Sequence, residues 1–465
     1  MENAQAAREH RPSGTAVAAR SVPPRALSVR LKARIMGRIA GAAAERARQR
    51  RGRWRRRLRG GHPTIRYFHQ PDDPHSHLAV QTLDRLAAAY AVDLHPHPVP
   101  APGAGFLGDE ARQPRWALAD ARDIAPFHGL EPPPTGDPDR EGIAAIAGRL
   151  ASSEVGEFAT IALELGRAYF SGEEVSASAS VRESGNRALE AGARLRRRLG
   201  HHGGAMFEYD GDWYWGVDRL PLLEDRLRAE GLLREAGLPR VAPTPGLPSL
   251  AGRDASTLTL EVFPSLRSPY TAVSFPDVLE LIERTGIEAR MQPVMPMMMR
   301  GVPAPRSKQL WILRDAARAG RRRGVSIERP VDPFGEPVRR ALSLWAPLRE
   351  AGHGTAFLDA YLHAAWIEGL DVTRDAGLLE VVRRAGADPR QLDPLLGGDA
   401  STAVLQDNLD AMLEADLWGV PAFRVSGGGH PPLAFWGQDR LWRVEAEIAR
   451  RAPIDPSSTE PGEHS

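Results

Sequence analysis

The chain has 465 residues, 42% of them hydrophobic and 26% charged, a balance typical of globular protein and enough for two or three domains. It contains no cysteine, which excludes disulfides, thiolate metal sites and cysteine nucleophiles, and it has no apolar run long enough for a membrane span. The formal charge of +2 hides an asymmetry: residues 1–60 carry 17 Lys and Arg against 3 Asp and Glu, so the remainder is net acidic and a nucleic-acid-binding body is disfavoured.

The basic segment 1–60 reads as a tail. Its first 25 residues are mixed and proline-containing, a pattern expected to be disordered. An Arg-rich helix is expected within 26–58, with Leu27, Leu31, Ile35 and Ile39 along one edge and Gly37 and Gly41 weakening it. The cluster from Arg50 to Arg57 offers a surface for an anionic partner such as RNA, a membrane or an acidic protein. The alternative is a solvated arm, or one lying against the acidic body. No secretory signal stands out, so the expected compartment is the cytoplasm. The 14 histidines show no metal-ligand spacing.

From residue 64 onward the sequence states one pattern twice. The first copy, 64–232, opens with a strand over Thr64 to His69, a helix over Ser76 to Tyr90 and a second strand over Val92 to Val99. It closes with a hairpin turning at Asp210-Gly211-Asp212 between Met206–Tyr209 and Trp213–Trp215, then a helix over Leu220 to Glu230. A linker occupies 233–255, rich in Pro and Gly from Gly237 to Asp254. The second copy, 256–451, opens with an alternating strand, Leu258 to Phe263, a helix over Phe275 to Thr285 and a strand over Ile287 to Val294. Five insert helices are predicted between Lys308 and Leu417. A hairpin (Ala422–Val425, Leu433–Trp436) and a helix over Gln438 to Arg450 complete it, and 452–465 is expected to be a disordered tail.

The matches keep register over some fifty residues. Pro98-Val99 falls on Pro293-Val294, Trp116 on Trp311, Asp120-Ala121 on Asp315-Ala316 and Gly129 on Gly324. With a different offset, Trp215-Gly216-Val217-Asp218-Arg219-Leu220 falls on Trp436-Gly437-Gln438-Asp439-Arg440-Leu441. A strand–helix–strand opening implies a parallel pair with a right-handed crossover. With a helical insert and a closing β-β-α unit, each copy is predicted to be an α/β, thioredoxin-like domain with a helical insertion.

The second copy resembles the DsbA family in its cysteine-free branch, the 2-hydroxychromene-2-carboxylate isomerases and kappa-class glutathione transferases. The residues that carry the resemblance are Ser268-Pro269-Tyr270, then Lys308 with Trp311 and Asp315, and Trp366-Ile367-Glu368-Gly369. Gly419-Val420-Pro421-Ala422-Phe423 and Phe435-Trp436-Gly437-Gln438-Asp439-Arg440-Leu441 complete the set. The first copy resembles the same family more weakly.

The resemblance implies a glutathione-dependent isomerase or transferase acting on a small electrophilic or unsaturated aromatic substrate. Ser268, where redox relatives carry cysteine, would hold the glutathione thiolate at the start of a helix, whose free N–H groups favour an anion. Val420 and Pro421 would pair with the glutathione peptide backbone. Asp439 and Arg440 would meet its γ-glutamyl end, and Lys308 a carboxylate. Each has a plain alternative: Ser268 as an N-cap, Pro421 as a loop-shaping residue, Asp439 as a helix cap and Arg440 as a surface ion-pair member. The Met295–Met299 run could line a wall for a hydrophobic substrate or simply fill the core.

In the first copy Asp73 replaces the serine, Gly203-Gly204-Ala205 replaces the proline loop, and Gln113 replaces the lysine. It is therefore expected to be a scaffold packing on its neighbour as subunits do in dimeric relatives. A homodimer of the whole chain remains an open expectation. The rival reading of the protein is a non-catalytic thioredoxin-like binding or scaffold module localised by its Arg-rich arm.

Overall fold

A computed structural model describes residues 27–246, 248–250 and 253–454. The disorder expected for 1–25 and for 455–465 falls outside the described residues. Residues 452–454 are described, and Ile454 forms a bridge with Arg253.

Two four-stranded sheets form, one from each half, with the same order. In the first, β1 (Thr64–His69) runs parallel to β2 (Asp93–Pro98) and antiparallel to β3 (Met206–Tyr209), which pairs with β4 (Asp212–Trp215). In the second, β5 (Leu258–Phe263) lies parallel to β6 (Glu288–Met291) and antiparallel to β7 (Ala422–Gly427), which pairs with β8 (His430–Trp436). This is the thioredoxin-like arrangement, with helices inserted between the second and third strands of each half.

The alternation in β5 sorts its side chains by face. Leu258, Leu260 and Val262 enter the cluster beneath the closing helix Leu441–Arg451. On the opposite face Glu261 is paired by Arg424 and Phe263 packs with Val294, Met412 and Leu417. The strand is central, so both faces are covered.

The helices mostly match the sequence pattern and differ at their ends. The helix predicted over Ser76 to Tyr90 is two, Pro74–Val80 and Leu83–Ala89, because the Thr82 hydroxyl bonds back to Ala79 and turns the chain. Its counterpart is continuous from Pro269 to Thr285 and starts six residues earlier than the periodicity implied. The linker is pinned rather than loose. Glu224 accepts the Val241 and Ala242 amides at 2.9 and 3.2 Å, and Leu233 bridges to Tyr90.

The halves meet through a reciprocal exchange. Arg219 of the first half donates to Asp315 of the second at 2.8–3.1 Å and to Asp439 at 2.8 Å. Arg440 of the second donates to Asp120 of the first at 2.7 Å and to Asp218 at 2.6 Å. These are the residues that repeat in the sequence, so the contact is self-complementary, as in a two-fold interface. Aromatic rings cross in the same way. Trp116 sits 4.7 Å from the Trp436 ring, and Trp311 packs against Phe68, Met206 and Trp213 of the first half.

The basic segment forms two helices, α1 (Leu27–Ala40) and α2 (Ala42–Leu58), both docked on the body. The buried face of α1 is Ala33 and Ala40, with Met36 and Ile39 packed against the second core. The predicted apolar edge is therefore misplaced: of its four residues only Ile39 turns inward. A Cβ on Gly37 would lie 1.8 Å from the Glu328 carbonyl oxygen, so the glycine that weakens the helix allows it to dock. The inner face of α2 is held by charge. Glu45 pairs with Arg318 and Arg321, Arg56 with Asp210 and Glu230, and Arg53 with Glu230.

Arg440 is 1% exposed, so shortening it would strand two buried carboxylates. Arg440→Met is expected to destabilise the protein by about 3–5 kcal/mol in urea unfolding. The same change at exposed, unpaired Arg57 is expected to stay within about 0.5 kcal/mol.

Candidate active site

A cavity of about 620 Å³ opens where the halves meet, and both contribute to it along with α1. Ser268, Lys308, Val420 and Asp439 all line it. Pro421 lies just behind Val420, joined to it by a cis peptide bond.

Ser268 is the N-cap of the helix Pro269–Thr285. Its hydroxyl oxygen accepts the Thr271 amide at 3.1 Å. Among the described residues its own proton has only the Val420 carbonyl as an acceptor, at 3.5 Å, which is long for an O–H donor. The N-cap role is thus real, and it leaves the hydroxyl hydrogen available to a stronger acceptor in the cleft. The helix N-terminus behind it adds a positive potential.

Lys308 occupies the first turn of the helix Arg306–Arg322 and donates to the Phe106 carbonyl of the first half at 2.6 Å. Burial lowers its pKa, and no carboxylate lies within ion-pair reach of it among the described residues. A buried cation satisfied by one carbonyl favours an incoming anion. Burial alone would push the Asp439 carboxyl up, but Arg219 and Arg440 outweigh it and hold the group below its ordinary range.

Arg440 is the correction. It does not line the cavity; both its forks are taken by Asp120 and Asp218, so it fastens the halves instead of meeting a ligand. The sequence offered a signal, because Arg219 repeats Arg440 in a half with no proline loop, which points to architecture.

Several further residues line the cleft that the sequence did not assign to ligand binding. Trp116, Trp366 and Trp436 give it aromatic walls, and Phe106 reaches in from the first half to stack on His202 at 4.0 Å. Arg267 lies at the rim, bonded to Asp332 at 2.8 Å and over the Phe334 ring. Tyr270 donates to Asp315 at 2.8 Å; burial, then that carboxylate, raises its pKa well above the usual phenol range. The methionine run divides between its two readings: Met297 and Met298 line the cleft, whereas Met295 and Met299 pack on the core.

The corresponding helix start in the first half lines the same cavity but already carries an anion of its own. Asp73 accepts the His75 and Ser76 amides and the Ser76 hydroxyl, so its own carboxylate supplies the anion there. Ser76 Oγ in turn accepts the amides of Gln70 and Ala205 at 3.2 and 2.8 Å. No group of His, Asp or Glu among the described residues could hold a metal ion.

A thioredoxin-like domain with a serine at the start of its first helix is thus in place. Residues 259–449 match the family described as DSBA-like thioredoxin domain. No curated protein matches. Among solved structures, the chain resembles a 2-hydroxychromene-2-carboxylate isomerase at 19% identity, covering 41% of this chain and 95% of that one with a TM-score of 0.36. It also resembles the cytosolic disulfide reductase DsbM from Pseudomonas aeruginosa with GSH, at 20% identity over 42% and 99%, with a TM-score of 0.28. A probable DsbA oxidoreductase from Streptomyces coelicolor matches at 16% identity over 45% and 94%, with a TM-score of 0.32.

The first half carries an unusual set of buried imidazoles. Burial lowers the pKa of His69 to about 3 and those of His77, His97 and His202 to about 4. Below pH about 6.5 the unfolded chain takes up protons that these folded rings refuse, so stability falls as pH drops from there to about 4. Thermal unfolding followed across this range should show the fall. Removing one such group, as in His77→Leu, should flatten the slope.

Proposed function

We propose that the second half is a glutathione-dependent isomerase or transferase, and that Ser268 is its catalytic residue. The observation that carries this reading is the Ser268 hydroxyl: it faces the cleft at a helix start, its oxygen is fixed by the Thr271 amide and its proton is only loosely engaged. That proton can be donated to a thiolate, favouring the ionised form near neutral pH. Cleft chemistry fits glutathione elsewhere too. Lys308 can pair with a carboxylate while staying hydrogen-bonded to Phe106, the Val420 backbone borders Ser268, and Asp439 is an ionised acceptor for an ammonium.

When bound, glutathione supplies a thiolate nucleophile for an electrophilic or unsaturated carbon. The chain's own residues orient it and exclude water, with Trp366, Trp436, Met297 and Met298 forming apolar walls for a small aromatic substrate. The first half contributes walls but no second thiolate site, because Asp73 repels an anion at its helix start.

Calorimetric titration of reduced glutathione into the full chain should show micromolar to low-millimolar binding and a thiolate absorbance. Ser268→Ala should lose the thiolate signal and weaken activity by about a hundredfold or more, the scale of losing one oxyanion donor. Absence of binding at millimolar glutathione overturns the reading.

The second reading, a non-catalytic binding or scaffold module localised by its arm, is favoured by one observation: Arg440 is consumed by the interface. It requires neither the Ser268 hydroxyl nor glutathione, so the same titration separates the two.

A further inference from the structure

The outward face of the arm has no role in the cleft and no partner on the body. Along α1, Leu27, Leu31 and Ile35 are 83%, 60% and 50% exposed and stand at four-residue spacing, so they form one stripe. Arg30, Arg34 and Arg38 form a second stripe beside it. On α2, Arg46 and Arg50 continue at the same spacing into Trp54 and Leu58, which are 61% and 66% exposed. Eight exposed arginines of the two helices (30, 34, 38, 46, 50, 51, 55 and 57), and Arg59 just beyond, make no ion pair among the described residues, whereas those of the inner face are paired to the body.

The occupant of this face follows from its mixture. A second copy is disfavoured, because apposing two such surfaces would bring unpaired arginines together. A nucleic acid would satisfy the guanidinium groups and leave Leu27, Leu31, Ile35 and Leu58 in water. An anionic bilayer satisfies both sets: headgroup charge for the arginines, the acyl boundary for the aliphatic stripe and the interface for Trp54. No helix among the described residues is long and apolar enough to cross a membrane, so attachment would be in the plane of the surface.

We propose that the outer face of α1 and α2 is a peripheral binding site for anionic lipid membranes. The inner-face ion pairs and the Gly37 contact hold both helices on the body, so the face is presented already folded.

The test is co-sedimentation of the full chain with phosphatidylcholine vesicles, with and without phosphatidylglycerol. Binding is expected only with the anionic lipid and should weaken as salt rises. Arg46→Gln, Arg50→Gln, Arg51→Gln and Arg55→Gln should each weaken it about fivefold. Combined Leu31→Ser, Ile35→Ser and Trp54→Ser should weaken it by about tenfold or more at unchanged net charge. All these positions are exposed, and an unchanged melting temperature checks that the fold persists. No binding to anionic vesicles overturns the proposal. So does binding that survives the apolar triple substitution, or tighter binding to single-stranded RNA that ignores it.

Discussion

Two arginines hold this protein together, and almost everything else is arranged around them. Arg219 and Arg440 each leave their own half and are received by a pair of aspartates in the other. All six side chains are largely withdrawn from water, so the desolvation cost is high and is offset only because each guanidinium finds bidentate geometry. Such a contact tolerates little displacement. It fixes the two sheets relative to each other, and in doing so it shapes the cleft that neither half could enclose alone.

The cleft shows what that constraint permits. Its floor belongs to the second half, where the helix start at Ser268 meets the Val420 loop. Its roof belongs to the first, which lends Phe106, Trp116 and His202, and α1 adds Met36 and Ile39 at one side. Asp315 links the two levels of organisation. The same carboxylate receives Arg219 at the interface and Tyr270 from the turn beside Ser268, so the geometry of the helix start is tied directly to the junction between halves.

The fold was legible because the same pattern of strands and turns can be read in both halves. Strand alternation, the Asp210-Gly211 turn and the matching closing segments located both sheets, and the strand pairs agree with the expectation. What escaped was long-range chemistry. Arg440 follows Asp439 in a segment that resembles a ligand-binding signature, yet its partners are more than two hundred positions away, and no local pattern encodes such a pairing. The arm failed differently. Its apolar edge was judged by hydrophobicity, but α1 approaches the body closely, so alanine and glycine are what fit and the larger residues face outward. For the cleft, Ser268, Lys308, Val420 and Asp439 were found through the family resemblance, whereas Phe106 and Trp116 enter from the half whose helix start carries Asp73.

The reciprocal contact between halves has one further consequence. In an assembly of two identical chains, every substitution appears at both sites, so neither can change without the other. Here the interface has that symmetry but the halves are encoded separately. One helix start can carry Asp73, whose carboxylate takes the Ser76 hydroxyl, while the other carries Ser268, and both line the cleft. Joining the halves in one polypeptide also removes the dilution that would separate free subunits. The chain therefore combines the geometry of a symmetric pair with the freedom to specialise, and one molecule carries one aspartate-capped and one serine-capped helix start.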